Sequence, residues 1–145
     1  MTTTIETEID ILAHPERVWA VLTGFPAYPA WNPFIVSISG PLRPGARLSV
    51  SIRPPGQAGM AFKPRVLVAD NARELRWKGR FLVPGLLDGE HYFRILPQAE
   101  GRVKFVHGEH FSGLLEPFLR RSLQGATRQG FLAMNAALKA RAEAP

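Results

Sequence analysis

Apolar and polar residues alternate along residues 3–12. Ile5, Ile9 and Ile11 point one way, and Glu6, Glu8 and Asp10 the other. A period of two is that of a half-buried strand. Pro15 then suits the first position of a helix. Val18, Val21 and Leu22 follow at helical spacing, with Trp19 beside them, and Thr23-Gly24-Phe25-Pro26 ends that helix. Next comes Tyr28-Pro-Ala-Trp-Asn-Pro-Phe34, three aromatics, an amide and two prolines within seven residues. Proline fixes φ and lacks a donor, which excludes a helix interior or a central strand. The stretch reads as a shaped junction between helix and sheet.

From Phe34 the strand pattern recurs, with turn residues between the runs. Residues 35–39, 48–52, 62–69, 75–81, 87–96 and 102–111 are predicted strands. Loops fall at 40–45, 53–59, 70–71 and 83–85, and 98–101 makes a hairpin. From about Leu115 the period changes to 3.6 and holds to about Ala140. Consecutive strands with short loops imply an antiparallel sheet. A terminal helix of roughly 25 residues runs about 38 Å, enough to cross that sheet.

On a wheel of about 100° per residue, Leu119, Ser122, Leu123, Ala126, Gly130, Ala133, Met134 and Ala137 share one face. Arg120, Arg121, Gln124, Arg128, Asn135 and Lys139 lie away from it. The inner stripe is mostly small. Glycine within a helix costs roughly 1 kcal/mol relative to alanine, so Gly130 needs a reason. Either the helix approaches the sheet closely or the stripe leaves room for a ligand. Phe131 and Leu132 fall on the flanks, placed to pack under loops or to meet a partner.

The last two strands carry the candidate chemistry. His91, Phe93 and Ile95 share one face of the first, and Val103, Phe105, His107, Glu109 and Phe111 one face of the second. A tight turn near 98–100 pairs Ile95 with Val103, Phe93 with Phe105 and His91 with His107, with Glu109 opposite Gly89. Trp77 then falls beside His91. Two histidines and a carboxylate on an apolar wall admit three readings: a self-satisfied hydrogen-bonded cluster, a polar anchor for a ligand, or an acid/base pair. Two histidines and a glutamate are also zinc ligands by type, but facing strands supply no recognised ligand spacing, so no metal is expected. Tyr28 and Trp31 are either plain core at the junction or one end of a cavity, with Asn32 capping local backbone. Arg76, Lys78 and Arg80, with Arg94 and Lys104, are expected on a solvated convex face. His14 and His110 read as surface residues.

The 145 residues suit one domain spanning 1–145. The absence of cysteine removes disulfide and thiolate chemistry. No apolar run approaches the roughly 18 residues that span a membrane. The N-terminus lacks the basic and apolar regions of a signal peptide, so a cytoplasmic protein without integral membrane association is expected. The net charge of +6 is uneven. Residues 1–42 set Glu6, Glu8, Asp10 and Glu16 against Arg17, a balance of −3, and the remainder carries +9. The cations are scattered and form no run, which argues against nucleic-acid binding.

Five stretches carry a family resemblance: Ala13-His-Pro-Glu-Arg-Val-Trp19, Tyr28–Phe34, Gly40-Pro-Leu-Arg-Pro-Gly45, Asp88-Gly-Glu-His91 and Phe111-Ser-Gly-Leu-Leu115. In this order they resemble the START-like superfamily, the SRPBCC or helix-grip proteins, and within it the polyketide cyclase/dehydrase and lipid-transport family. The resemblance implies an α+β helix-grip fold. In that fold a curved seven-stranded antiparallel sheet would wrap a long C-terminal helix around an apolar pocket, with two short helices between strands 1 and 2. It implies binding of lipids, sterols, polyketides or quinones, and in some members cyclisation or dehydration. It carries no universal catalytic motif, and no cofactor is expected.

The expected function is binding of a small hydrophobic ligand by a monomer or homodimer. The expected pocket comprises Trp31, Phe62, Val66, Trp77, Phe93, Phe105, Ala126, Gly130 and Met134, with His91, His107 and Glu109 as polar anchors. The alternatives are a cyclase or dehydratase using those three as acid and base, and an interaction module like the related chaperone activators, using the sheet edge or Phe131 and Leu132.

Overall fold

The N-terminal alternation becomes β1 (Thr2–Ile11), with Ile5 and Ile11 buried. These and the other features come from a computed structural model that describes residues 2–81 and 85–145; the side chains of Phe81, Ser122 and Leu123 lie outside that description. The expected loop at 83–85 therefore lies outside it except for Gly85, as do the wheel positions Ser122 and Leu123. α1 (Pro15–Thr23) opens on its proline and buries Val18, Val21 and Leu22. The junction that follows is a 3-10 turn, Phe25–Ala27, and a single helical turn, α2 (Tyr28–Trp31). Pro26 and Pro29 each sit in an opening turn, where the missing N–H costs nothing. Asn32 Oδ1 then accepts from the backbone N–H of Phe34 and of Ile35, 2.9 Å each, and turns the chain into the sheet.

Among the described residues, eight strands follow the antiparallel plan where seven were expected. β2 (Ile35–Ser39), β3 (Ser49–Ile52) and β4 (Met60–Phe62) form one ladder. β5 (Arg65–Asp70), β6 (Glu74–Phe81), β7 (Leu87–Ala99) and β8 (Arg102–Ser112) form a larger one with β1, in the order β1-β8-β7-β6-β5. The extra strand is β4, which shares only Phe62 with the predicted run 62–69; Pro64 separates it from β5, which takes up the rest of that run. Backbone bonds between residues 45–48 and 64–66 join the two ladders.

The β7–β8 register differs from expectation by two residues. Ile95 pairs with Phe105, Phe93 with His107, His91 with Glu109, and Gly89 with Phe111. The turn sits at Glu100-Gly101, one step later than assumed, with Gly101 at φ 68° and a bulge between Pro97 and Ala99. A shift of two keeps parity, so each side chain keeps its face. Trp77 pairs with His91 as expected.

The terminal helix is not uniform. α3 (Glu116–Ser122) passes through a π turn, Leu123–Thr127, into α4 (Arg128–Glu143). A π turn holds one extra residue, so the face beyond it rotates by about 100°. Gly130, Phe131, Met134, Asn135, Leu138 and Ala142 are the buried positions of α4. The uniform wheel therefore misplaced Phe131 and Asn135. Both point into the core, whereas Ala133 and Ala137 are only half-buried.

Candidate functional site

A cavity of about 720 Å³ lies between the small ladder, strands β6 to β8 and the first part of the terminal helix. Phe34, Ile35, Ile52, Phe62, Trp77, Leu87, Phe111, Leu115 and Leu119 supply apolar wall. His91 and Glu109 line its interior, 3% and 8% exposed. Arg47, Lys63, Arg80 and Met60 line it from exposed positions, with the buried Pro54 and the half-buried Thr127.

Of the sequence-predicted residues, Phe62, Trp77, His91 and Glu109 meet at this cavity. His107, Val66, Phe93, Phe105 and Met134 are buried behind its lining. Gly130 lies against Phe34: a Cβ there would sit 2.4 Å from the ring. Close approach therefore explains the small residue, where ligand room had been the alternative. Trp31 is half-buried, packs its ring 5.0 Å from Tyr28, and stays off the lining. Ala126 sits in the π turn and leaves the lining to its neighbour Thr127. Arg80 belongs to the lining as well as to its strand's outward parity.

The polar row is a chain of hydrogen bonds whose direction its far end fixes. Thr7 Oγ1 donates to the His107 carbonyl (3.0 Å). Its oxygen therefore accepts from Asn135 Nδ2 (2.8 Å), which turns the amide oxygen toward His107. Asn135 Oδ1 accepts from His107 Nδ1–H (2.9 Å). A neutral His107 then has a bare Nε2, which accepts from His91 Nε2–H (2.7 Å). His91 Nδ1 is the bare nitrogen, and it faces Glu109 Oε1 at 3.0 Å. That last bond needs a proton, so the His91–Glu109 pair holds one. Burial pushes His91 down to about 3 and Glu109 up to about 8, which places the proton on the carboxyl group. His107 is held well below its ordinary value by burial and then by its neighbour His91, against the opposing bond from Asn135.

Aromatic packing keeps the pair dry. Phe131 stacks on His107 at 4.0 Å, and Trp77 stacks on His91 at 5.2 Å. Glu109 Oε2 lies over Gly89, where a Cβ would come within 2.3 Å. It has no hydrogen-bond partner among the described residues. A ligand hydroxyl that donates to Oε2 would complete the carboxyl group. Transfer of that proton to Oε2 can be matched by release of the Oε1 proton to His91 Nδ1. The two imidazole Nε2 atoms are spent on each other, and among the described residues no group of three His, Asp or Glu side chains is arranged to hold a metal ion.

Sequence reasoning missed Asn135 and Thr7 in this chain. The pairing of Thr7 with His107 across β1 and β8 supplies the signal for the threonine. The spacing of Phe131, Met134, Leu138 and Ala142 supplies it for the asparagine, once the wheel is restarted after the π turn.

A family model described as polyketide cyclase / dehydrase and lipid transport matches residues 2–143. No curated protein matches the chain by sequence. Among solved structures, the Zhui aromatase/cyclase from Streptomyces sp. R1128 is similar at 16% identity and TM-score 0.80, covering 99% of this chain and 94% of that one. A START superfamily protein from Mycobacterium smegmatis gives 18% and 0.77, with 97% of each chain covered. Norcoclaurine synthase from Thalictrum flavum, in complex with dopamine and hydroxybenzaldehyde, gives 13% and 0.72, covering 97% and 86%. At these identities the likeness is one of fold.

Proposed function

The chain belongs to the polyketide cyclase/dehydrase and lipid-transport family, and on that premise we propose that it binds a small hydrophobic molecule carrying a phenol or enol hydroxyl. The observation that carries this reading is the carboxyl group of Glu109, lining a cavity of about 720 Å³ with Oε2 unpartnered among the described residues. Apolar pockets with few convergent polar groups are the usual form of small-molecule sites. The test is a titration followed by tryptophan fluorescence, since Trp77 alone of the three tryptophans lines the cavity. A naphthol should bind at least tenfold more tightly than its methyl ether, and Glu109→Leu should abolish the preference. Native mass spectrometry of the purified protein should show a bound small molecule. No bound molecule and no binding of either probe would end this reading.

A second reading, a cyclase or dehydratase, rests on the hydrogen-bonded imidazoles behind Glu109. A carboxyl group that takes a proton at Oε2 while passing one to His91 can deprotonate a bound enol or phenol. His91→Phe should then abolish turnover of an aromatic polyketide while leaving its affinity within a few fold. Equal loss of stability, binding and turnover would leave His91 a structural role only.

A further inference from the structure

The rim of the cavity carries charge of one sign. Arg47, Lys63 and Arg80 are the charged side chains among the described lining residues, the Glu109 carboxyl group holding its proton against His91. Arg47 reaches back to the Lys63 carbonyl (3.2 Å), and Phe62 packs on Gly79, where a Cβ would meet its ring at 3.2 Å. These contacts bring β4 with Lys63 against the strand that carries Arg80. No ion pair satisfies any of the three among the described residues, although Asp88 lies opposite Arg80 in the ladder. The sequence accounts for the lack of compensation. Between Glu16 and Asp70 there is no acidic residue at all, while Arg17, Arg43, Arg47, Arg53, Lys63 and Arg65 fall in that interval. The whole small ladder and its loops are therefore free of carboxylates. The interior contrasts with this rim: the one carboxyl group among its described lining residues, Glu109, shares a proton with His91.

We infer that the ligand is amphipathic, its neutral hydroxylated end inside against Glu109 and an anionic oxygen group, carboxylate or phosphate, at the rim against Arg47, Lys63 and Arg80. This rests on the binding role proposed above and adds the ligand's polarity and its orientation. Exposed cations discriminate mainly through long-range attraction and flexible contacts, so the preference is salt-dependent. An ester or a neutral alcohol of the same shape loses it.

The experiment titrates the protein with 6-hydroxy-2-naphthoate and its methyl ester, and with 6-hydroxy-2-naphthyl phosphate and its dimethyl ester, so that every probe keeps the phenol hydroxyl. Each anion should bind at least tenfold more tightly than its neutral counterpart at low salt, with the gap closing at high salt. The triple variant Arg47→Gln, Lys63→Gln, Arg80→Gln should erase the gap between each anion and its neutral counterpart. The triple variant Arg73→Gln, Arg102→Gln, Arg141→Gln, with the same loss of net charge away from the rim, should keep it. Equal affinity for anion and neutral probe, or a gap equally reduced in both variants, overturns the rim assignment and leaves the binding role standing. Binding of none of the four probes overturns both. The stronger member of the carboxylate and phosphate pairs identifies the anion class.

Discussion

Gly130 and Asn135 are single residues on which the interior of α4 depends. Alanine at 130 would gain about 1 kcal/mol of helix propensity. Its Cβ would also meet Phe34, which is 2% exposed and packed edge-on against Phe131 at 5.5 Å. Overpacking of that kind costs about 1–3 kcal/mol, and Phe34 has little freedom to yield. Gly130→Ala should therefore lower the thermal midpoint; a raised midpoint would show that the ring can move aside. Asn135→Leu removes a donor and an acceptor at once and strands His107 Nδ1–H in a buried site. Each stranded group costs about 1–3 kcal/mol, and denaturant titration should register a loss of that order. NMR of the imidazole nitrogens should also show the tautomer of His107 released from its present form. An unchanged tautomer would place its origin elsewhere than in Asn135.

The π turn decides which residues the terminal helix offers to the site. Before it, Leu115 and Leu119 face the cavity; after it, Phe131 and Asn135 face the imidazole pair. Deleting Gly125 should restore ordinary helical phase and force one half to rotate by about 100°. α4 is held by Asn135 and by the buried Phe131, Met134 and Leu138, whereas α3 leaves Phe118 84% exposed. The deletion should therefore keep α4 docked, turn Leu119 off the cavity and weaken probe binding more than tenfold with cooperative unfolding retained. Binding that survives unchanged would mean that the phase of α3 does not matter. Strand faces were legible in the sequence because a period of two is robust: a register error of two residues left His91, His107 and Glu109 on one wall. The helix face was not, because one inserted residue resets a period of 3.6 and leaves no mark in composition.

The protonation of the His91–Glu109 pair reaches the stability of the whole molecule. Glu109 is raised from 4.5 to about 8 in the folded protein. Between those values the folded state keeps a proton that the unfolded chain has lost, so this group's contribution falls as pH rises through that window. His91, lowered from 6.5 to about 3, and His107 act the other way. Their contribution is complete above about 6.5 and is lost as pH falls below it. Stability from the cluster should peak near pH 6.5 and decline by about 1–2 kcal/mol toward pH 8. Denaturation series of the protein and of Glu109→Gln should differ by that slope; parallel curves between pH 6.5 and 8 would remove the protonated carboxyl group. The helix-grip arrangement itself could be read from the order of elements and the five matched stretches. The division of the sheet could not, since the consequence of Pro64 depends on how residues 45–48 bond across to 64–66. Among the described residues that seam has three backbone hydrogen bonds, from Gly45 and Val66 at 2.8 Å and Leu48 at 2.9 Å, beside side-chain bonds from Arg47 and Arg65. Ile35, Ile38, Leu48 and Val50 of the small ladder and its approach share the common core, but its ladder bonds to the larger sheet are few, so we expect it to open locally ahead of the central strands. Its amides should exchange with solvent sooner than those of β7 and β8. A guest that touches both ladders acts as a cross-brace, and its arrival should be read most clearly as slowed exchange in residues 35–62.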